Sequence, residues 1–350
     1  MEDCTSGAQA IVYLSCMHPA ASLQILLIED SPVHTLLLRS WLEADGLAAV
    51  TAVDTGEEGL RQAAAHAWDL VITDVELPDM NGLALLEAVK AADPWAPVLV
   101  ITAHRSADYA QRALQGHADG LLFKPVAKEE LLANATRMAG EAAERRRRHR
   151  KLVLAIGAHP DDVEIGCGGA LAKHRAHGDS LVILTLSQGM YGGDPTERDQ
   201  EAHQAAAVLN ATLRWGGLHD TAISESRETI SVIERQIAEL RPTHVYTHSQ
   251  NDNHQDHRNA HLATIVAARE VPNLYCYQSP SSTVAFQPHL FIDISSHLED
   301  KLRAIAAYRS QTVQRAYLQE DFIRATARYW GRFCGYGLAE PMEVKRQRDT

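Results

Sequence analysis

The stretch Leu152-Val153-Leu154-Ala155-Ile156-Gly157-Ala158-His159-Pro160-Asp161-Asp162 joins a buried-strand pattern to a polar turn near the middle of a 350-residue chain. Five consecutive apolar residues indicate a strand covered on both faces, as in a parallel sheet. Ligands of open parallel sheets collect beyond the carboxyl ends of the strands. The stretch therefore predicts an α/β fold with a site at His159-Pro160-Asp161-Asp162.

Short apolar runs alternate with amphipathic stretches on both sides of this segment, which predicts repeated βαβ units and parallel sheets. The fold class is α/β with two doubly wound parallel-sheet domains. Strands are expected at residues 25–28, 48–53, 70–72, 98–101 and 120–123, and again at 152–156, 181–186, 212–215, 245–247, 274–277 and 291–294. Helices are expected between them.

We divide the chain into four parts from this pattern and from composition. Residues 1–22 form an N-terminal extension, residues 23–140 the first domain, residues 141–151 a basic helical linker, and residues 152–350 the second domain with a helical C-terminal tail from His297. The linker contains four consecutive arginines, and a solvated helix between two domains is the expected reading of such a run.

Composition excludes several classes of protein. The formal net charge is −12, and an acidic balance argues against a nucleic-acid-binding protein. No apolar run approaches the roughly 18 residues of a membrane helix. Five cysteines without a Cys-x-x-Cys pair suggest neither a disulfide framework nor a cysteine zinc site. A cytoplasmic location is the resulting expectation.

Polar residues end four strands of the first domain. Glu29 and Asp30 follow the first strand, Asp74 the third, Thr102 the fourth and Lys124 the fifth. Carboxylates hold hard cations such as Mg²⁺, and a carboxylate can accept a phosphoryl group. We expect Glu29, Asp30 and Asp74 to bind Mg²⁺.

This segment resembles bacterial response-regulator receiver domains. The matching text is Ile28-Glu29-Asp30-Ser31, Ile72-Thr73-Asp74 through Gly82, Ile101-Thr102-Ala103 and Phe123-Lys124-Pro125. The resemblance implies that Asp74 is the phosphoacceptor for an upstream histidine kinase, that Thr102 and Lys124 contact the phosphoryl group, and that Lys124-Pro125 is a cis peptide. The usual aromatic switch of the fifth strand is replaced by Leu121. A receiver-like fold kept only for dimerisation, and hence a homo-oligomer, is the alternative.

The second domain carries two runs suited to a hydrolytic metal site, His159-Pro160-Asp161-Asp162 and His254-Gln255-Asp256-His257. Catalytic Zn²⁺ takes three protein ligands of histidine and carboxylate type plus water. His159 and Asp162 can point at one metal ion and leave Asp161 free as general base. His257 is the best third ligand, and Asp256 is placed to orient His254.

These runs look like the signatures of the PIG-L/LmbE family of zinc-dependent N-acetylglucosamine deacetylases, over about residues 151–332. The resemblance implies that His159, Asp162 and His257 bind zinc, that Asp161 is the general base, and that His254, supported by Asp256, stabilises charge. It also makes the loop before residue 198 part of a sugar pocket, with Arg198, Glu201 and Tyr191 as candidate substrate contacts. Pairing of Arg198 with Glu201 along a helix is the alternative for those two residues. For His248, a hydrogen-bonded polar role is favoured over metal ligation.

The sequence therefore predicts a zinc-dependent hydrolase that removes an N-acetyl group from an amino-sugar glycoconjugate, with a phosphorylatable receiver domain as its regulator. The alternative is a two-component signalling protein whose second domain binds a sugar ligand without catalysis. The sugar, its aglycone and the kinase are not specified by the sequence.

Overall fold

The structure is a computed structural model that describes residues 22–65, 68–92, 95–105 and 107–348. The predicted N-terminal extension, residues 1–22, lies outside this part of the chain except for Ser22. The chain divides into two compact units, with the boundary between Arg145 and Arg146.

The first unit is a five-stranded parallel sheet of order β2-β1-β3-β4-β5 with helices between the strands. Its strands are β1 (Leu23–Ile28), β2 (Ala48–Val53), β3 (Leu70–Asp74), β4 (Val98–Thr102) and β5 (Gly120–Phe123). Its helices are α1 (Pro32–Leu42), α2 (Gly56–Ala65), α3 (Gly82–Ala92), α4 (Ala107–Gln115) and α5 (Lys128–His149). Strands β3 and β4 are buried at every position, as expected of central strands covered by helices on both faces.

The predicted linker has no separate structure of its own. Residues 141–149 are the last turns of α5, which is continuous from Lys128 to His149, and β6 begins at Leu152. Alanines and Met138 form the buried face of α5 and arginines fill its last turns.

The second unit is a seven-stranded, mostly parallel sheet of order β11-β12-β10-β9-β6-β7-β8. Its strands are β6 (Leu152–Gly157), β7 (Ser180–Ser187), β8 (Thr212–Leu218), β9 (His244–His248), β10 (Asn273–Tyr277), β11 (Leu290–Asp293) and β12 (Ala339–Arg346). Its helices are α6 (Asp162–Ala176), α7 (Pro195–Val208), α8 (Arg227–Leu240), α9 (Gln255–Ala267), α10 (Leu298–Ala306), α11 (Arg309–Thr312) and α12 (Glu320–Gly331). Two apolar clusters cover the two faces of this sheet.

The predicted helical tail is correct only in part. Helices α10 to α12 follow His297, but the chain then returns as β12, which pairs antiparallel with β10 and β11. The pattern hides this strand because Glu340 and Glu343 are buried rather than solvated. Both carboxylates have partners: Glu340 accepts hydrogen bonds from Lys301 Nζ and from two backbone N–H groups of α6, and Glu343 accepts one from the Ser249 hydroxyl.

No helix of the described residues is both long enough and apolar enough to cross a bilayer.

Candidate metal centre and phosphoacceptor pocket

The sheet of the second unit brings its two predicted motifs together. His159 to Asp161 form the turn after β6, and His254 caps the first turn of α9, which follows β9. Asp161 has a backbone φ of 99°, a left-handed conformation that costs a residue with a side chain about 1–3 kcal/mol. The surrounding fold holds this strained turn where the predicted general base lies.

His257 is oriented by a carboxylate that the sequence analysis did not identify. Its Nδ1 lies 3.0 Å from Asp252 Oδ2, so Nδ1 donates there and, in the neutral ring that binds metal, Nε2 carries the lone pair. Nε2 lies 3.3 Å from Asp162 Oδ1. Burial lowers the pKa of His257, but the charges of Asp162 and Asp252 outweigh it and raise the pKa to about 9. An imidazole held by a carboxylate on its far side is the usual arrangement of a metal-binding histidine.

His159 is held in the same way by two carboxylates. Its Nε2 lies 3.1 Å from both Asp220 Oδ1 and Asp256 Oδ2, and its Nδ1 lies 3.4 Å from Asp162 Oδ2. Burial lowers its pKa, but the hydrogen bonds to Asp162, Asp220 and Asp256 prevail and raise it to about 12. Nδ1 is therefore the nitrogen of His159 that faces the predicted ligand Asp162.

His159 and His257 each contact Asp162, and histidine and carboxylate donors of this kind fit zinc. The groups whose ligand atoms all lie within 4.8 Å of one another include His159 with His254 and His257, and Asp162 with His248 and His257. Asp162 lies between the two imidazoles, whose ring centroids are 5.5 Å apart. Histidine and carboxylate donors with room for water are the composition of catalytic zinc sites. Among the described residues, Asp161 Oδ2 and Asp256 Oδ1 are buried without a hydrogen-bonding partner. Buried carboxylate oxygens are rarely left unsatisfied, so these atoms support a bound cation or water there.

Asp161 lies in the wall of a cavity of about 360 Å³ with the predicted ligands. Burial and the negative charge of Asp162 raise its pKa to about 7, although Arg198, Arg315 and His159 oppose that shift. The nearest cation is the Arg198 guanidinium, at 3.8 Å from Oδ2. A carboxylate with a raised pKa in a cavity is suited to proton transfer.

His254 uses Nδ1 to accept the backbone N–H of Asp256 at 3.2 Å. A neutral His254 therefore carries its proton on Nε2. The expectation that the Asp256 carboxylate orients His254 is wrong, because that carboxylate contacts His159 and the backbone N–H of Thr221. Asp256 instead belongs to the support of a predicted zinc ligand.

His248 has the hydrogen-bonded role that the sequence analysis favoured. It is fully buried, and its Nε2 accepts the backbone N–H of Ala158 at 3.0 Å. The same Nε2 lies 3.2 Å from Asp162 Oδ2, and His248 forms with Asp162 and His257 a group that could hold a metal ion, so a bound metal would compete with this hydrogen bond for the Nε2 lone pair. Its ring stacks on His257 with centroids 3.9 Å apart.

The three predicted substrate contacts have different fates. Arg198 and Tyr191 line the cavity, Arg198 with Nη2 fixed on the carbonyl of Pro160 at 2.6 Å. Glu201 is not available to substrate, because its carboxylate accepts the backbone N–H and the hydroxyl of Ser310. The alternative prediction, in which Arg198 and Glu201 pair along α7, is wrong for the same reason. Gly189 has φ 64°, and a Cβ there would lie 2.8 Å from Arg198 Nε.

Sequence reasoning missed Asp220, Arg315 and Tyr317 in the wall of this cavity, and Asp252, which contacts His257. Asp220 and Asp252 follow the ends of β8 and β9, so the strand-end rule that identified His159 could have identified them. Arg315 and Tyr317 come from the segment between α11 and α12, and the sequence pattern contains no signal for their approach.

The first unit has a pocket of different chemistry. Carboxylate oxygens of Glu29, Asp30 and Asp74 lie within 4.8 Å of one another, which suits a cation such as Mg²⁺. Lys124 Nζ lies 2.6 Å from Asp74 Oδ2 and 2.9 Å from Glu29 Oε2. Burial lowers the pKa of Lys124, but these two carboxylates outweigh it and raise the pKa. All five predicted residues lie at this edge of the sheet, with Thr102 fully buried, and Lys124-Pro125 is cis.

Comparison with known proteins assigns both units. Residues 25–136 match the response regulator receiver domain family, and residues 154–268 match the GlcNAc-PI de-N-acetylase family. The uncharacterized deacetylase YaiS of Escherichia coli (strain K12) is 32% identical over 170 residues, which are 46% of this chain and 92% of that protein. The chain belongs to the GlcNAc-PI de-N-acetylase family.

Two further similar proteins agree with this assignment. The diacetylchitobiose deacetylase of Thermococcus kodakarensis is 30% identical over 220 residues, 54% of this chain and 81% of that protein. The crystal structure of the conserved protein TT1542 from Thermus thermophilus superposes with a TM-score of 0.52 at 29% identity, covering 57% of this chain and 97% of that one. A deacetylase domain preceded by a receiver domain is therefore established.

Proposed function

We propose that the deacetylase domain hydrolyses the N-acetyl group of an amino-sugar glycoconjugate with Zn²⁺ held by His159, Asp162 and His257. The observation that carries the proposal is the buried Oδ2 of Asp161, which has no hydrogen-bond partner among the described residues, in the same cavity as these three ligands. The diacetylchitobiose deacetylase acts on an N-acetylated sugar by its name, which supports the substrate class.

Bound zinc lowers the pKa of water and polarises a carbonyl oxygen. The residues of this chain then have separate tasks. Asp161 accepts the proton of the attacking water and returns it to the amine that leaves, so that amide and water become amine and acetate. His254 presents Nε2–H to the carbonyl oxygen as negative charge develops there. Asp252, Asp220 and Asp256 fix the two imidazoles.

For the receiver domain we propose regulation by phosphorylation. An upstream histidine kinase transfers a phosphoryl group to Asp74 with Mg²⁺ bound by Glu29, Asp30 and Asp74. Lys124 already contacts Asp74 and is placed to bind a phosphoryl oxygen, with Thr102 beside it. Labelling of Asp74 by acetyl phosphate with Mg²⁺, and its absence in Asp74→Asn, tests this part.

Asp161→Asn and His159→Ala separate catalysis from metal binding. Asp161→Asn should keep one zinc per chain and lose about 10²–10⁴-fold in acetate release from N-acetylglucosamine and N,N′-diacetylchitobiose. His159→Ala should lose both zinc and turnover. Metal content is measured by elemental analysis on the same samples. Full activity in either variant contradicts the assignment, and sugar binding without acetate release in the wild type indicates the non-catalytic alternative.

A further inference from the structure

A second cavity, of about 440 Å³, opens beside the catalytic cavity and has a mostly apolar wall. Ile165 and Pro280 line both cavities, so the two are adjacent and meet at these residues. Most of its wall comes from α12 and from segments after residue 277, which lie beyond residues 154–268, the segment that the family model matches. We call this second cavity the α12 groove.

Aromatic side chains form the outer wall of the α12 groove. Phe322 and Tyr329 lie there, each 48% exposed, and Trp330 packs edge-on against Tyr329 with ring centroids 5.0 Å apart. The indole Nε1 of Trp330 is fixed on Gln278 Oε1 at 2.8 Å. An exposed aromatic wall beside a reaction centre is a surface that gains free energy when an apolar group covers it.

The groove carries no free charge among its described lining residues. Lys301 and Glu340 are its charged residues, and Lys301 Nζ lies 2.6 Å from Glu340 Oε1. Lys301 also donates to the carbonyl of Ile165, and Glu340 accepts two backbone N–H groups of α6. Because both ions are buried and saturated, the groove offers nothing to a phosphate and favours an uncharged occupant.

The loop between the two cavities is fixed to the candidate metal centre. The hydroxyl groups of Ser279 and Ser281 both donate to the carboxylate of Asp252, which also orients His257. Ser279 lines the α12 groove and Ser281 lines the catalytic cavity. A substrate that extends from one cavity to the other would therefore lie along a rigid edge.

Resting on the proposed deacetylation, we propose that the α12 groove binds an uncharged, apolar aglycone of the amino-sugar substrate. The sugar's N-acetyl group lies in the catalytic cavity, and the aglycone leaves it past Ile165 and Pro280. The groove's volume is within the range of pockets that bind small organic ligands. The preferred substrates are thus N-acetylated amino sugars linked to an aliphatic or aromatic group.

The test compares octyl N-acetyl-β-D-glucosaminide with N-acetylglucosamine, N-acetylglucosamine 1-phosphate and N,N′-diacetylchitobiose in the full-length, zinc-loaded protein. We expect kcat/KM for the octyl glycoside to exceed that for each other compound by about tenfold or more. Ala325→Asp places a carboxylate in the exposed wall of the groove and should reduce the octyl-to-free-sugar ratio about tenfold. Arg328→Asp places the same group on α12 outside the groove and should leave the ratio unchanged.

Several outcomes overturn the proposal. The groove is not an aglycone site if the ratio is unchanged in Ala325→Asp, and it is a sugar subsite if diacetylchitobiose is preferred and loses most in that variant. If Ala325→Asp changes the sedimentation coefficient and leaves kcat/KM for every compound unchanged, the groove is an interface between copies of the chain. Calorimetric binding of the octyl glycoside is measured in parallel. If the wild type binds the octyl glycoside without releasing acetate, and Ala325→Asp abolishes that binding, the proposed deacetylation is wrong but the α12 groove is still the aglycone site.

Discussion

The two pockets of this protein occupy the same position in their respective sheets, but their buried carboxylates are neutralised by different groups. Each lies at the carboxyl ends of parallel strands, where turns and helix starts converge. In the receiver pocket, Lys124 neutralises Asp74 and Glu29 from within the chain. In the deacetylase pocket, carboxylates orient the imidazoles of His257 and His159, and the oxygens Asp161 Oδ2 and Asp256 Oδ1 have no hydrogen-bond partner in the described part of the chain.

The difference teaches what each pocket can bind. The receiver pocket has three carboxylates, one of them on the exposed Asp30, and a lysine already contacts two of them. This arrangement suits a hard and exchangeable cation such as Mg²⁺. Imidazoles fixed by second carboxylates suit a tightly bound zinc ion. The topology sets where a site lies, and the side chains decide its chemistry.

Metal exchange should have the largest effect and is the most direct way to break this comparison. Chelation with EDTA should reduce acetate release to background and abolish labelling of Asp74 by acetyl phosphate. Zinc should restore acetate release and Mg²⁺ should restore labelling, because the two donor sets differ in softness and rigidity. Both reactions are followed in one preparation. Restoration of acetate release by Mg²⁺ alone would show that the pockets are not distinct in the way described.

Asp252→Asn sharpens the comparison by weakening the carboxylate support of His257. We expect zinc affinity to fall about 10–100-fold, because the variant replaces the carboxylate that orients the ligand. Competition with a chromophoric chelator measures the affinity. Asp199→Asn, a change of the same type at a partly exposed position on α7 outside the cavity wall, is the matched control and should leave it unaltered.

Asp252 also holds the Ser279–Ser282 turn, so loss of that turn is a second route to the same effect. Ser279→Ala removes a hydroxyl from Asp252 and keeps the contact between Asp252 and His257. If Ser279→Ala weakens zinc binding as much as Asp252→Asn does, the loop and not the imidazole orientation explains the change.

Much of the fold follows from residue pattern, because strands buried on both faces give unbroken apolar runs. Strands β3 and β4 are of this kind, and their predicted positions lie within their observed bounds. Strand β12 could not be predicted from the residue pattern, since its buried Glu340 and Glu343 resemble surface residues until their partners are known. Local motifs brought the His159 and His257 turns together correctly.

What the motifs could not supply was the direction of side chains around the metal centre. Asp256 lies next to His257 in sequence, yet its carboxylate contacts His159. Glu201 lies one helical turn from Arg198, yet it binds Ser310. In both cases a partner more than 90 residues away decides the role, and such contacts depend on tertiary packing rather than on spacing.

The smallest expected effect concerns a buried histidine that lacks a carboxylate of the kind that holds His257. His244 lies at the opposite, amino-terminal end of β9, beside His174 and Tyr275, and is 8% exposed. Burial, with the nearby charges of His174 and Lys151, lowers its pKa to about 3, and Asp179 opposes this only in part. The pKa of His257 is instead raised to about 9.

The depressed pKa of His244 makes the second unit less stable in acid. Below pH 6.5 the unfolded chain takes up a proton at His244 that the folded chain refuses until about pH 3, so stability falls as pH decreases through that window. His244→Gln removes this contribution. Between pH 7.5 and pH 5 the wild type should therefore lose about 2 kcal/mol more than the variant in the unfolding transition of the second unit, as measured by scanning calorimetry. Equal losses would mean that His244 is protonated in the folded protein, and that a carboxylate partner is not what separates the two kinds of buried imidazole.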